Sequence, residues 1–143
     1  MKNYFLIALI SLFLVACSKN DDNSNCNFLL NAGVNYSLNL NLPQFSDLQF
    51  TSNSVYVPNQ GNGGIIITNN GTGIVAWDAS DPNHAPSTCS IMTISGGINA
   101  KCNCSDGNEY SLITGQSLND PLPCTLKFYR VEPTGNNTYY ISN

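Results

Sequence analysis

The sequence predicts an all-β domain, a small antiparallel barrel or sandwich, and three observations carry that prediction. Short apolar runs alternate with polar residues at the two-residue period of strands. Gly- and Asn-rich turns interrupt these runs at short intervals. No apolar pattern at helical spacing is long enough for a convincing helix. With 143 residues, 42% of them hydrophobic, the chain has material for one core and not for two.

The chain divides into 1–17, 18–27 and 28–143. In the first segment Lys2 supplies a positive start, Tyr4 to Leu14 is an apolar run too short to span a bilayer, and Leu14-Val15-Ala16-Cys17 closes it. This resembles a bacterial lipoprotein signal with its lipobox. The resemblance implies cleavage before Cys17 and acylation of that cysteine, so that the mature protein is anchored to a membrane by lipid and does not cross it. Residues 18–27 are almost wholly polar and read as a flexible tether. Lys19 followed by Asp21-Asp22 resembles the export signal of surface-exposed Bacteroidetes lipoproteins, which implies an outer-membrane location.

Within 28–143 each strand is read from its pattern. Tyr36, Leu38, Leu40 and Leu42 alternate with polar residues up to Pro43, as in a half-buried strand ending where a ladder donor is lost. Val55-Tyr56-Val57 is followed by the turn Gly61 to Gly64 and by Ile65-Ile66-Ile67. The loop Asn69 to Gly73 then leads into Ile74-Val75-Ala76-Trp77, a hairpin pattern. Ile91 to Ile94, Gly96-Gly97 and Ile98 to Lys101 repeat it. Leu126 to Val131, the turn Gly135-Asn136-Asn137 and Thr138 to Ser142 make the last hairpin. The glycines at 61–64 lack the Lys-Ser/Thr and the helix of a phosphate loop and read as a turn.

Composition removes several functions. Nine acidic against five basic residues leave no cationic footprint for nucleic acid. A single histidine, His84, excludes any site that needs two imidazoles from this chain. No paired carboxylates and no Ser/His/Asp set stand out for hydrolysis. Trp77, ending an apolar strand, reads as core.

The stretch from Ile65 to the C-terminus resembles a Rieske iron–sulfur domain in the order of its parts. These parts are Val75 to His84, Cys89, Lys101-Cys102-Asn103-Cys104, Tyr110 to Gly115 and Asp120-Pro121-Leu122-Pro123. The resemblance implies a two-loop subdomain in which a Cys-x-His and a Cys-x-x-His loop hold a [2Fe–2S] cluster. The scaffold parts match the family, but the ligands depart from it. The first motif falls on Asp81-Pro82-Asn83, with His84 one residue beyond, and the second on Cys102-Asn103-Cys104-Ser105, so only Cys102 matches outright. The resemblance also implies a loop-clamping disulfide between Cys89 and Cys104, whose loop of about 15 residues is worth about 3 kcal/mol in the chain-entropy model. With Cys17 assigned to lipid, Cys26, Cys102 and Cys124 are left, and a second bond from Cys102 to Cys124 or Cys26 stays open.

The expected function is that of a lipid-anchored cell-envelope protein with a Rieske-like fold, binding or structural in role, with no cofactor, no nucleic acid and an envelope protein or ligand as partner. The alternative is an electron-transfer protein with an altered [2Fe–2S] ligand set. His84 beside Asp81, with Cys89 or Cys102, also suggests a metal site, and Cys102-Asn103-Cys104 a thiol-exchange motif, against which backbone bonding and structural disulfides are the plainer readings.

Overall fold

The computed structural model describes residues 26–143, and Cys17 and its lipobox lie outside them. The strands are β1 Asn35–Asn39, β2 Asn53–Val57, β3 Ile65–Asn69, β4 Ile74–Asp78, β5 Thr93–Ser95, β6 Asn99–Lys101, β7 Glu109–Ser111, β8 Phe128–Gly135 and β9 Thr138–Ser142. They form a six-stranded sheet in the order β1-β9-β8-β4-β3-β2 and a three-stranded sheet in the order β5-β6-β7. Every pairing is antiparallel, as the sequence pattern leads one to expect. The larger sheet is open, with β1 and β2 at its edges.

Strands β3 and β4 lie between two cores, which explains their composition. Ile65 and Ile67 point into a core with Leu38, Phe45, Leu48 and Tyr129, while Ile66 points into a second with Trp77, Tyr110 and Leu112. A strand covered on both faces reads as a continuous apolar run because neither set of alternate side chains meets water. On β4 the same alternation sends Ala76 to the first core and Trp77 to the second. The small sheet and its loops therefore stand on the outer face of β3 and β4.

The sequence reading omits β7 and starts the last hairpin at Leu126 where β8 begins at Phe128, and it departs from the structure further at the start of the domain. The first strand ends at Asn39, three residues short of Leu42, which is exposed. The Asn39 side chain captures the Asn41 N–H at 2.9 Å and its carbonyl accepts from Leu42 N–H at 3.2 Å, so a turn displaces the ladder. A 3-10 helix, Pro43–Gln49, follows where no helix is read from the sequence. Pro43 is set for a helical start, and the three-residue spacing of Phe45 and Leu48, both buried, puts them on one face of that helix.

The β5–β6 hairpin turns through Gly96 and Gly97, both at positive φ. Its tip docks on β2, where the Ser54 hydroxyl donates to the Gly97 carbonyl at 2.5 Å; a Cβ on Gly97 would lie 2.7 Å from the Ser52 carbonyl oxygen. That contact fixes the small sheet against the large one.

Candidate functional site

The site is built from two loops on the small sheet. The first joins β4 to β5, and its base is zipped by Met92 N–H to Ala79 O at 2.7 Å and Asp81 N–H to Ser90 O at 2.9 Å. The second joins β6 to β7, with Cys102 N–H bonded to Asn108 O at 2.8 Å. Asn103 N–H then donates to Cys89 O at 3.0 Å and ties one loop to the other. Cys89 and Cys104 are joined by a disulfide with S–S 2.04 Å and Cα–Cα 4.9 Å.

Beneath the loop tips lies Asp81, fully buried. Its Oδ1 accepts from the Tyr110 hydroxyl and from Asn83 N–H at 2.8 Å, and its Oδ2 from the Asn108 amide at 2.9 Å. Asn83 extends the network, donating through Nδ2 to Tyr110 Oη at 2.8 Å and to Cys124 O at 2.7 Å, while its Oδ1 accepts from Cys124 N–H at 3.0 Å. The Cys102 thiol is buried beside Asp81; burial, with the carboxylate adding to it, pushes that thiol up to about 12. The same two causes hold the Tyr110 phenol protonated far above its ordinary range.

The residues at the motif positions thus separate. Asp81 and Asn83 meet in this network, and the buried Cys102 lies at its side with its thiol donating to Cys89 O at 3.7 Å. His84 is turned toward the disulfide, with Nδ1–H donating to Ala85 O at 2.7 Å, and Ser105 is exposed. Cys26 pairs with Cys124, Cα–Cα 5.6 Å, so of the partners left open for Cys102 neither is taken: Cys102 is the free cysteine among the described residues.

A [2Fe–2S] centre of this type asks for two thiolates and two imidazoles, and these residues do not fit it. The four strict positions hold a carboxylate whose oxygens accept from protein donors, an amide bonded at both ends, a single buried cysteine and an exposed hydroxyl, with no imidazole among them. Carboxylate is moreover a harder ligand than the irons of such a cluster favour.

A second buried carboxylate, Asp78, was not singled out from the sequence. Its Oδ2 accepts from the Tyr129 hydroxyl at 2.6 Å and from the Asn62 N–H and Nδ2 at 2.9 and 2.8 Å, and its Oδ1 from Ser80 N–H at 2.9 Å. The sequence signal is an aspartate ending an apolar strand, Ile74 to Asp78, where a buried charge needs donors. Trp77 belongs to the second core, as read: its Nε1–H donates to Leu112 O at 2.8 Å, and its ring lies so close to Gly115 that a Cβ there would meet it at 2.7 Å.

No family model and no curated protein matches the chain. Among solved structures it is similar to a chain of the complex of reduced oxygenase and oxidized ferredoxin in carbazole 1,9a-dioxygenase, at 21% identity and a TM-score of 0.47, over 68% of this chain and 85% of that one. It is also similar to a protein assigned as a nitrite reductase NADPH small subunit, at 22% identity and TM-score 0.43, over 74% and 97%. A third is assigned as an NADH-dependent nitrite reductase small subunit from Mycobacterium tuberculosis, at 17% identity and TM-score 0.43, over 77% and 96%.

Proposed function

We propose that this chain is a lipid-anchored cell-envelope protein built on a Rieske-related scaffold whose cluster positions have been taken over by side-chain hydrogen bonds, leaving a binding or structural domain. The observation that carries the reading is the closed network on Asp81. In the place where the motif order asks for a thiolate, a buried carboxylate accepts three hydrogen bonds, from Tyr110, Asn83 and Asn108, with both of its oxygens engaged. Such a network holds the two loops together as a cluster would, because leaving any one of its buried groups unpaired costs about 1–3 kcal/mol.

Purification of the full chain without oxygen, followed by iron and sulfide assays, visible absorption and electron paramagnetic resonance after reduction, tests this directly. A colourless protein with no bound iron is expected. About two irons and two sulfides per chain, with a signal on reduction, would replace this reading with that of an electron-transfer protein with an altered ligand set.

A further inference from the structure

At the loop tips, outside the Asp81 network, His84 lies against the Cys89–Cys104 disulfide: a ring nitrogen and both sulfurs are within 4.8 Å of one another. All three residues are half-buried, so a reductant and an ion can reach them. We propose that reduction of the Cys89–Cys104 bond opens a site for a zinc-class divalent cation, ligated by Cys89, Cys104 and His84, with solvent in the open fourth position.

Four features of the loops favour this set. The Nδ1–H of His84 is held by Ala85 O, so that Nε2 is the nitrogen left to bind a metal, the arrangement in which a metal-binding imidazole is oriented by a backbone carbonyl. The Ser87 hydroxyl is 3.2 Å from Cys89 Sγ and 3.9 Å from Cys104 Sγ, placed to donate to the thiolates that metal binding creates. The loops do not depend on the disulfide to stay adjacent, since Asn103 bonds Cys89 O through its N–H at 3.0 Å and Ile91 O through Nδ2 at 2.8 Å. Zinc–sulfur bonds of about 2.3 Å and zinc–nitrogen bonds of about 2.0 Å place tetrahedral ligand atoms roughly 3.6–3.8 Å apart, so the freed sulfurs need only small side-chain rotations.

A second set, Cys102, Cys104 and Asp106, also gathers within 4.8 Å. It is the weaker one, because Cys102 is 1% exposed and its Sγ is turned inward to Cys89 O at 3.7 Å, away from an ion arriving from solvent. The proposal uses none of the four strict cluster positions and so stands apart from the function proposed above.

The chemistry balances in two steps. A dithiol reductant gives two electrons and two protons to the Cys89–Cys104 bond and is itself oxidised to a disulfide. The cation then displaces both thiol protons to solvent, and two thiolates neutralise its two charges without electron transfer.

The test takes the full chain in detergent, anaerobic, with and without a phosphine reductant, and titrates it with Co²⁺ as probe and Zn²⁺ as competitor. One cobalt per reduced chain, with thiolate-to-cobalt charge-transfer absorption that zinc abolishes, and none in the oxidised chain, is expected. His84→Ala, which keeps both cysteines, should weaken binding at least about tenfold. Cys102→Ser, Asp106→Asn and the pair Cys26→Ser with Cys124→Ser should each stay within about twofold of wild type. The proposal is overturned if the oxidised chain binds equally well, if the reduced chain binds no cobalt, or if Cys102→Ser or Asp106→Asn removes binding while His84→Ala does not. A reduced chain that loses its near-ultraviolet circular dichroism and does not regain it on adding zinc overturns it as well.

Discussion

Buried ionisable groups concentrate beneath the two loops, and single residues there have outsized effects. Tyr110→Phe deletes one donor to Asp81 and leaves Asn83 Nδ2 without its phenolic acceptor, so we expect a loss of about 1–3 kcal/mol in urea unfolding. An unchanged midpoint would mean that the Tyr110 hydroxyl adds nothing to stability through this network. Cys102 and Tyr110 also predict alkaline lability. The thiol is raised from 9.0 to about 12 in the folded chain, so above pH 9 the unfolded chain sheds a proton that the folded chain keeps. Stability from this group is whole below pH 9 and is lost as pH climbs toward 12; Tyr110 and Tyr129, raised in the same direction, add to the fall. Urea midpoints measured from pH 7 to 11 should drop, and the drop should be shallower in Cys102→Ala.

At the scale of elements, the strands flanked by tight turns were legible in the sequence and the pieces set by side-chain bonds were not. Ile65 to Ile67 and Ile74 to Trp77 can only pair across Asn70 to Gly73, because the turn is short and both runs are apolar. Leu42 misled, since alternation says nothing of an Asn39 side chain that intercepts the backbone. The site was legible by halves: motif order brought out Asp81, Asn83 and Cys102, whereas Tyr110 and Asn108, which donate to Asp81, sit on β7 and its preceding loop, and no local spacing links them to Asp81. The partner of Cys26 was equally beyond reach, a contact across 98 residues. That separation has an energetic sequel. In the chain-entropy model a ring of about 100 residues is worth about 4.7 kcal/mol against about 3 for one of about 15. Cys26→Ser with Cys124→Ser should therefore lower the thermal midpoint more than Cys89→Ser with Cys104→Ser, and calorimetry showing the reverse order would mean that loop geometry, not chain entropy, dominates.

For the whole molecule the governing question is attachment. If Cys17 carries acyl chains, wild-type protein should fractionate with membranes and its first mature peptide should show the added lipid mass, while Cys17→Ala should move to the soluble fraction. Equal membrane binding of both, with no acyl mass on the wild type, would count against the anchor. The Cys26–Cys124 bond acquires a mechanical meaning in such an arrangement. Were the chain pulled between a point ahead of Cys26 and the C-terminus, the load would cross from Cys26 to Cys124 through sulfur and continue along β8 and β9. Strands β1 to β7, with both loops of the site, would lie off the force path inside a covalent ring, so that stretching could peel the last hairpin but could not draw out the segment that holds Asp81, His84 and the loop disulfide.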